Sequence, residues 1–210
     1  MSISAVVFDL GGVVFDSPIA LIREFEQKNG LPEHLVARIV GGYGGEDGLW
    51  QRLERGELLL ADFCAHFDAD VKSAGHVISS SDMMRDLHER AALRPVMLEA
   101  IRRIRLAGLK VAALTNNWVV DEGHDERLEP LRLEFDVFIE SCRVGLRKPD
   151  PKIFALVGTR LGVPLENTAF LDDMGPNLKA ARALGMTTFK VADPKEALGA
   201  LGKAIGLELV

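Results

Sequence analysis

The period of the apolar positions changes along the chain. Ala5-Val6-Val7-Phe8 is an unbroken apolar run ended by Asp9 and followed by Leu10-Gly11-Gly12. Such a run suits a strand buried on both faces of a parallel sheet. From residue 17 to 92 the spacing is helical. Pro18 to Asn29 sets Ile19, Leu21, Ile22 and Phe25 on one face and is closed by Gly30. Helices follow over Leu35 to Val40 and Leu49 to Arg55, another starts over Leu60 to Phe67, and Ser81 to Ala92 is helical with Met83, Met84 and Leu87 inward. A glycine-rich turn, Gly41 to Gly48, separates the first two of these, and no strand is predicted in this block.

Beyond it, helix and strand alternate. A helix from Pro95 to Ala107 has Met97, Ile101, Ile104 and Leu106 as its apolar side, and Leu109 to Leu114 is a strand. Helices are predicted over Glu126 to Glu134, Lys152 to Leu161, Pro176 to Leu184 and Pro194 to Ile205. Strands are predicted over Val137 to Ile139, Thr168 to Leu171 and Thr187 to Val191. This alternation predicts an α/β fold, a Rossmann-like doubly wound parallel sheet, with an all-helical insertion. Residues 1–16 and 93–210 would form the core domain and residues 17–92 the inserted one.

Composition narrows the function. The chain has 210 residues, 48% hydrophobic and 27% charged, with a net charge of −6. This argues against nucleic-acid binding, which calls for a basic face. Cys64 and Cys142 have no zinc-site or disulfide spacing and read as reduced thiols. No apolar run has the length or flanks of a signal peptide or membrane span, so a cytoplasmic protein with no membrane partner is expected.

Four polar clusters fall at or just beyond strand ends: Asp9, Thr115-Asn116, Lys148 and Asp172-Asp173. In a parallel sheet these ends share one edge, where ligands bind. Three carboxylates and a lysine suit a hard divalent cation with a phosphate. A threonine hydroxyl, an asparagine amide and the ammonium can hold phosphoryl oxygens. A remaining carboxylate can attack phosphorus. Asp9 alone would read equally well as an incidental strand cap; the other three clusters tip the balance.

In this order the clusters resemble the motifs of the haloacid dehalogenase-like superfamily: FDLGGVVFDS, LTNN, RKPDP, and FLDD followed by GPNLKAARALGM. The helical block resembles its type-1 cap. LTNNW, FIESCRVGLRKPDPKIF and FLDDMGPNLKAARALGM are most similar to the N-terminal phosphatase domain of soluble epoxide hydrolases and a related domain fused to some acyl-CoA dehydrogenases. The 210 residues are expected to hold no counterpart of the domain that hydrolyses epoxides there, and the resemblance implies a phosphatase. It implies Mg²⁺ as cofactor and a small phosphorylated substrate, in a monomer or homodimer. Asp9 would be nucleophile and metal ligand, and the Gly11 carbonyl a second ligand. Asp173 would bind the metal directly, with Asp172 behind it or paired with Lys148. Thr115, Asn116 and Lys148 would hold the phosphoryl group, and Lys148 would orient Asp9.

One position departs from the pattern. Most such phosphatases carry a second aspartate two residues after the nucleophile, which protonates the leaving alkoxide; here that residue is Gly11. General acid help is worth about 10²–10⁴-fold, or roughly 3–5 kcal/mol of barrier. Good leaving groups are therefore expected, such as acyl, aryl or anomeric sugar phosphates. Asp16, Glu46 and Asp47 are candidate substitutes for the acid.

Several other residues have packing roles as plain as any functional one. Asn177 could hold the acidic loop. Trp50 and Trp118 could line a substrate entrance, one from each domain, though packing is the plainer role. His34, His66, His76, His88 and His124 lack ligand spacing, and Cys142 reads as a small hydrophobe. Glycines 41, 42, 44 and 45 are followed by no Gly-Lys-Ser/Thr, so they form no P-loop. Rival readings are a 2-haloacid dehalogenase, disfavoured because an unneutralised acidic pair repels a haloacid anion, and a binding or regulatory module that lost turnover with the second aspartate. A response-regulator receiver, whose acidic pair lies near the first strand, fits least.

Overall fold

The computed structural model describes residues 2–42, 45–120 and 127–210. Five parallel strands form one sheet in the order β3-β2-β1-β4-β5: β1 (Ala5–Phe8), β2 (Lys110–Thr115), β3 (Val137–Glu140), β4 (Thr168–Asp172) and β5 (Thr187–Lys190). The chain runs outward from β1 through β2 to β3, then returns to the other side of β1 for β4. The order thus reverses at β1 and β4, whose registers pair Phe8 with Leu171. A crevice opens past the strand ends at such a point.

Alternation along the strands sorts the core onto two faces. Val6 and Phe8, Val111 and Ala113, and Ala169 and Leu171 meet helices α6 (Pro95–Leu106) and α11 (Pro194–Ile205). Val7, Ala112, Leu114 and Phe170 meet α9 (Pro151–Leu161) and α10 (Gly175–Ala183) on the other face. This explains why β1 reads as continuously apolar: both of its faces are covered.

Helices α1 (Pro18–Lys28), α2 (Leu35–Gly42), α3 (Leu49–Glu54), α4 (Leu60–Ser73) and α5 (Ser80–Glu89) build a third apolar cluster around Phe25, Val36, Leu53, Phe63, Phe67, Met83 and Met84. The two segments joining them to the sheet run side by side. The Asp16 N–H donates to the Ala92 carbonyl (2.9 Å), and the Arg94 N–H to the Val14 carbonyl (2.8 Å).

The structure corrects several boundaries. Leu106 is 88% exposed, because Met97, Ala100, Ile101 and Ile104 follow helical spacing and Leu106 falls on the opposite side of α6. Ile19 is likewise exposed, and the inner face of α1 carries Phe25 and Glu26 instead. The Glu26 carboxylate accepts from the N–H groups of His34 (3.0 Å) and Val36 (2.8 Å) at the start of α2, which is why a charge can be buried there. Helix α4 starts at Leu60 as expected and runs to Ser73, whereas α5 stops at Glu89, short of Ala92. A short α7 (Leu128–Arg132) stands where Glu126 to Glu134 was expected, and residue 126 lies outside the described residues. Too short to carry a helical period, α8 (Ser141–Val144) was not predicted. His124 and residues 43 and 44 of the glycine-rich turn are also outside the described residues.

Candidate active site

Asp9 follows β1 directly, and its N–H continues the sheet ladder to the Leu171 carbonyl (2.9 Å). Leu10–Val14 then forms one wide turn, closed by the Phe15 N–H on the Leu10 carbonyl (2.8 Å). Gly12 in this turn has φ +75°, and a Cβ there would collide with the Asp173 carboxylate. Gly11 differs: its backbone is extended (φ −65°, ψ 128°), and the nearest atom to a Cβ would be Pro18 Cδ at 3.8 Å. Gly12 is required by the turn; Gly11 is not.

Lys148, 1% exposed, bridges two strand ends: its Nζ donates to Asp9 Oδ1 and to Asp172 Oδ2, each at 2.8 Å. Asp9 Oδ1 also accepts from the Leu10 N–H (2.7 Å). Asp172 is saturated. Its Oδ1 accepts from the Met174 N–H (2.7 Å) and Asn177 Nδ2 (3.1 Å), and its Oδ2 from Asn177 Nδ2 (3.0 Å) as well as Lys148. Asn177 therefore holds the acidic loop through Asp172. Asp173 keeps partial exposure beside Gly12.

Burial raises the Asp9 carboxyl above its ordinary range against the pull of Lys148, and repulsion from Asp172 and Asp173 adds to the rise. Burial and Asp172 likewise push Asp173 up. For Lys148 burial works against the charged form, but Asp9 and Asp172 outweigh it, and the ammonium is held. Three carboxylates thus face one cation. One oxygen from each of Asp9, Asp172 and Asp173 lies within 4.8 Å of the others. Hard donors and an excess of negative charge fit a divalent cation such as Mg²⁺.

Thr115 and Asn116 end β2 on the same edge. Asn116 Oδ1 accepts from the Lys148 N–H (2.8 Å), and its Nδ2 donates to the Lys148 carbonyl (3.0 Å). The carboxamide is therefore spent on the lysine's main chain. A cavity opens beside these residues, lined by Gly11, Thr115 and Asn116 from the sheet edge. Its other walls include Phe15, Ile22, Trp50, Leu87 and Trp118.

Trp50 and Trp118 both line this cavity and pack edge to face, centroids 5.7 Å apart, so they serve packing and lining together. The Trp118 indole N–H is buried with no hydrogen-bond partner among the described residues. His88 stands on the wall too, its Nδ1 2.7 Å from Arg127 Nη2. Of the candidate acids, Asp16 lines the cavity but accepts from Arg94 Nε (3.2 Å), and Asp47 is on the surface. The side chain of Glu46 lies outside the described residues. Cys142 donates to Asn117 Oδ1 (3.2 Å), and burial with the nearby Glu140 raises its thiol to about 11. Both cysteines are free thiols.

Sequence reasoning missed Glu54, a buried carboxylate at the end of α3 that lines the cavity. Its Oε2 accepts from Arg147 Nε (2.6 Å) and Asn116 Nδ2 (3.4 Å), and burial raises its carboxyl against the pull of Arg147. The available signal was its place four residues after Trp50 and one after Leu53, on the apolar face of a short helix.

A doubly wound sheet with an acidic, lysine-bridged centre at its switch point is an α/β fold whose charged side chains stand where such sheets bind their ligands. A model of the haloacid dehalogenase-like hydrolases matches residues 3–185, and the chain belongs to that family. It is 37% identical over 99% of its length to acyl-CoA dehydrogenase family member 10 of Mus musculus, covering 20% of that protein. It is 32% identical over its whole length to bifunctional epoxide hydrolase 2 of Sus scrofa, covering 40% of it. The chain therefore spans a fifth and two fifths of these relatives. It is also 29% identical to phosphatase MT3486 of Mycobacterium tuberculosis, over 91% of this chain and 88% of that one. Its fold matches a HAD family enzyme of Bacteroides thetaiotaomicron solved with magnesium and inorganic phosphate, at TM-score 0.64 and 20% identity, over 90% and 94% of the two chains. Among the described residues no helix is long and apolar enough to cross a membrane.

Proposed function

We propose that the chain is a Mg²⁺-dependent phosphatase of small phosphorylated metabolites, acting through an aspartyl-phosphate on Asp9. Residues 1–16 and 93–210 would be its catalytic domain and residues 17–92 its cap. The observation that carries this reading is the buried Lys148 bridge between Asp9 and Asp172, with Asp173 alongside and a cavity adjoining. Held by Asp9, Asp173 and the Gly11 carbonyl, Mg²⁺ would neutralise charge on the phosphoryl oxygens. The phosphatase named among its relatives supports the same chemistry.

With Oδ1 held by Leu10 and Lys148, Asp9 Oδ2 is the oxygen for attack: the Oδ2–P bond forms as the P–O bond to the leaving group breaks. Lys148 holds the nucleophile's carboxylate in place, and Thr115 Oγ1 with the Asn116 N–H takes phosphoryl oxygens. Gly11 offers no proton to the departing oxygen, so leaving groups stable as anions are favoured. Trp50, Trp118 and the apolar wall favour an aryl body over a sugar among these. A phosphate-accepting module without turnover is the second reading, and Gly11 is the observation behind it.

The test is phosphate release from an aryl, an anomeric sugar and an alkyl phosphate, with and without Mg²⁺, beside Asp9→Asn. The reading expects release that needs Mg²⁺ and Asp9 and is fastest with the aryl ester. Release that survives Asp9→Asn or chelation would refute it; binding of Mg²⁺ without release would favour the second reading.

A further inference from the structure

We infer that Glu54 is a positioning residue through which the seating of the inserted helices fixes the Asn116 and Lys148 geometry. The inference rests on the proposed phosphatase reading for its kinetic part. A continuous set of contacts carries it. Glu54 ends α3, is 6% exposed and borders the cavity beside Gly11, Thr115 and Asn116. Its Oε2 receives Arg147 Nε at 2.6 Å and Asn116 Nδ2 at 3.4 Å. Asn116 in turn brackets the Lys148 main chain from both sides, and Lys148 Nζ reaches Asp9. A carboxylate carried by the helical insertion is therefore three contacts from the proposed nucleophile, with Arg147, the residue before Lys148, as a second link.

The seam around Glu54 is tight. Gly56, two residues on, has φ +70°, and a Cβ there would collide with the Cys142 carbonyl of α8. Helix α3 can approach α8 this closely only because residue 56 has no side chain. Trp50, one turn before Glu54, packs on Trp118 just past Asn116. Helix α3 is thus held to both phosphate-side loops, after β2 and after α8, and Glu54 is the charged group at their meeting point. Withdrawal of α3 would leave Arg147 without its buried counter-ion and free Asn116 Nδ2 from one of its two acceptors. The Asn116–Lys148 clamp then has less to hold it, and turnover falls without loss of substrate binding.

The test uses the full chain with Glu54→Gln, Arg147→Gln, the double variant and Gly56→Ala, each checked for native folding. The first readout is hydrogen exchange of the Lys148 N–H, which donates to Asn116 Oδ1. It should quicken about tenfold in Glu54→Gln and in Gly56→Ala, while core amides of β1 exchange as before. The second is kinetics on the aryl phosphate: kcat should fall about tenfold with KM within about twofold, and the double variant should match the singles. Gly56→Ala keeps the carboxylate, so its agreement with Glu54→Gln would show that seating matters and not charge alone. A folded Glu54→Gln protein with unchanged Lys148 exchange would overturn the inference, as would a rise in KM with kcat intact. If the wild type releases no phosphate, the phosphatase reading fails, and the exchange readout still decides the role of Glu54.

Discussion

At the sheet edge both carboxylate oxygens of Asp172 are bonded, whereas across the cavity α1, α3 and α5 present Ile22, Trp50 and Leu87 with Glu54 buried among them. The edge spends its hydrogen bonds on holding charges in fixed places, which suits chemistry that must not reorganise. The helical wall gives apolar shape and few polar anchors, which suits sorting substrates by their bodies. Gly11 and Gly12 mark the border between them. Gly12 belongs to the edge, because Asp173 occupies the space of its side chain; Gly11 belongs to the cavity, with room for one.

The largest expected effect breaks the edge. Asp9→Asn should lower aryl phosphate turnover by at least about 10³-fold, measured as phosphate release, because no other group among the described residues is placed to attack. Next comes Lys148→Met, which strips the cation from between two buried carboxylates. It should cost about 3–5 kcal/mol of stability, read from the urea midpoint. The border can be tested by a matched pair: Gly12→Ala should destabilise by about 2 kcal/mol or more, and Gly11→Ala by no more than about 0.5 kcal/mol. Gly11→Asp should raise alkyl phosphate turnover by about 10–10²-fold, with a smaller gain on aryl esters. No gain on the alkyl ester would count against Gly11 as the reason for the substrate preference. The smallest effect concerns Cys142. With its thiol raised to about 11, the reactive thiolate is scarce at neutral pH in the folded chain. Alkylation should be slower than for an unfolded thiol at neutral pH and climb as the solution approaches pH 11, by mass spectrometry of the Cys142 peptide.

The fold was legible because β1, β2 and β4 are covered on both faces and so carry unbroken apolar runs that end in polar clusters. The polar edge was legible for the same reason: parallel strands bring Asp9, Thr115, Lys148 and Asp172 to one side wherever they lie in sequence. What stayed hidden depends on side-chain direction and on contacts distant in sequence. The Asn116 carboxamide looked free to bind phosphate and is spent on Lys148. Leu106 looked buried for its apolar character alone, although the period of Met97, Ala100, Ile101 and Ile104 sets it opposite. Glu54 drew no reading in the sequence, and only the approach of Arg147 and Asn116, from loops beyond β2 and α8, makes it part of the site.

The most direct test of the account is to quench the enzyme during turnover of an aryl phosphate, reduce the trapped acyl phosphate with borohydride, and map the product by peptide mass. The account predicts conversion of Asp9 to homoserine, dependent on Mg²⁺ and absent without substrate. Phosphate release with Asp9 unmodified, or modification at another carboxylate, would contradict it.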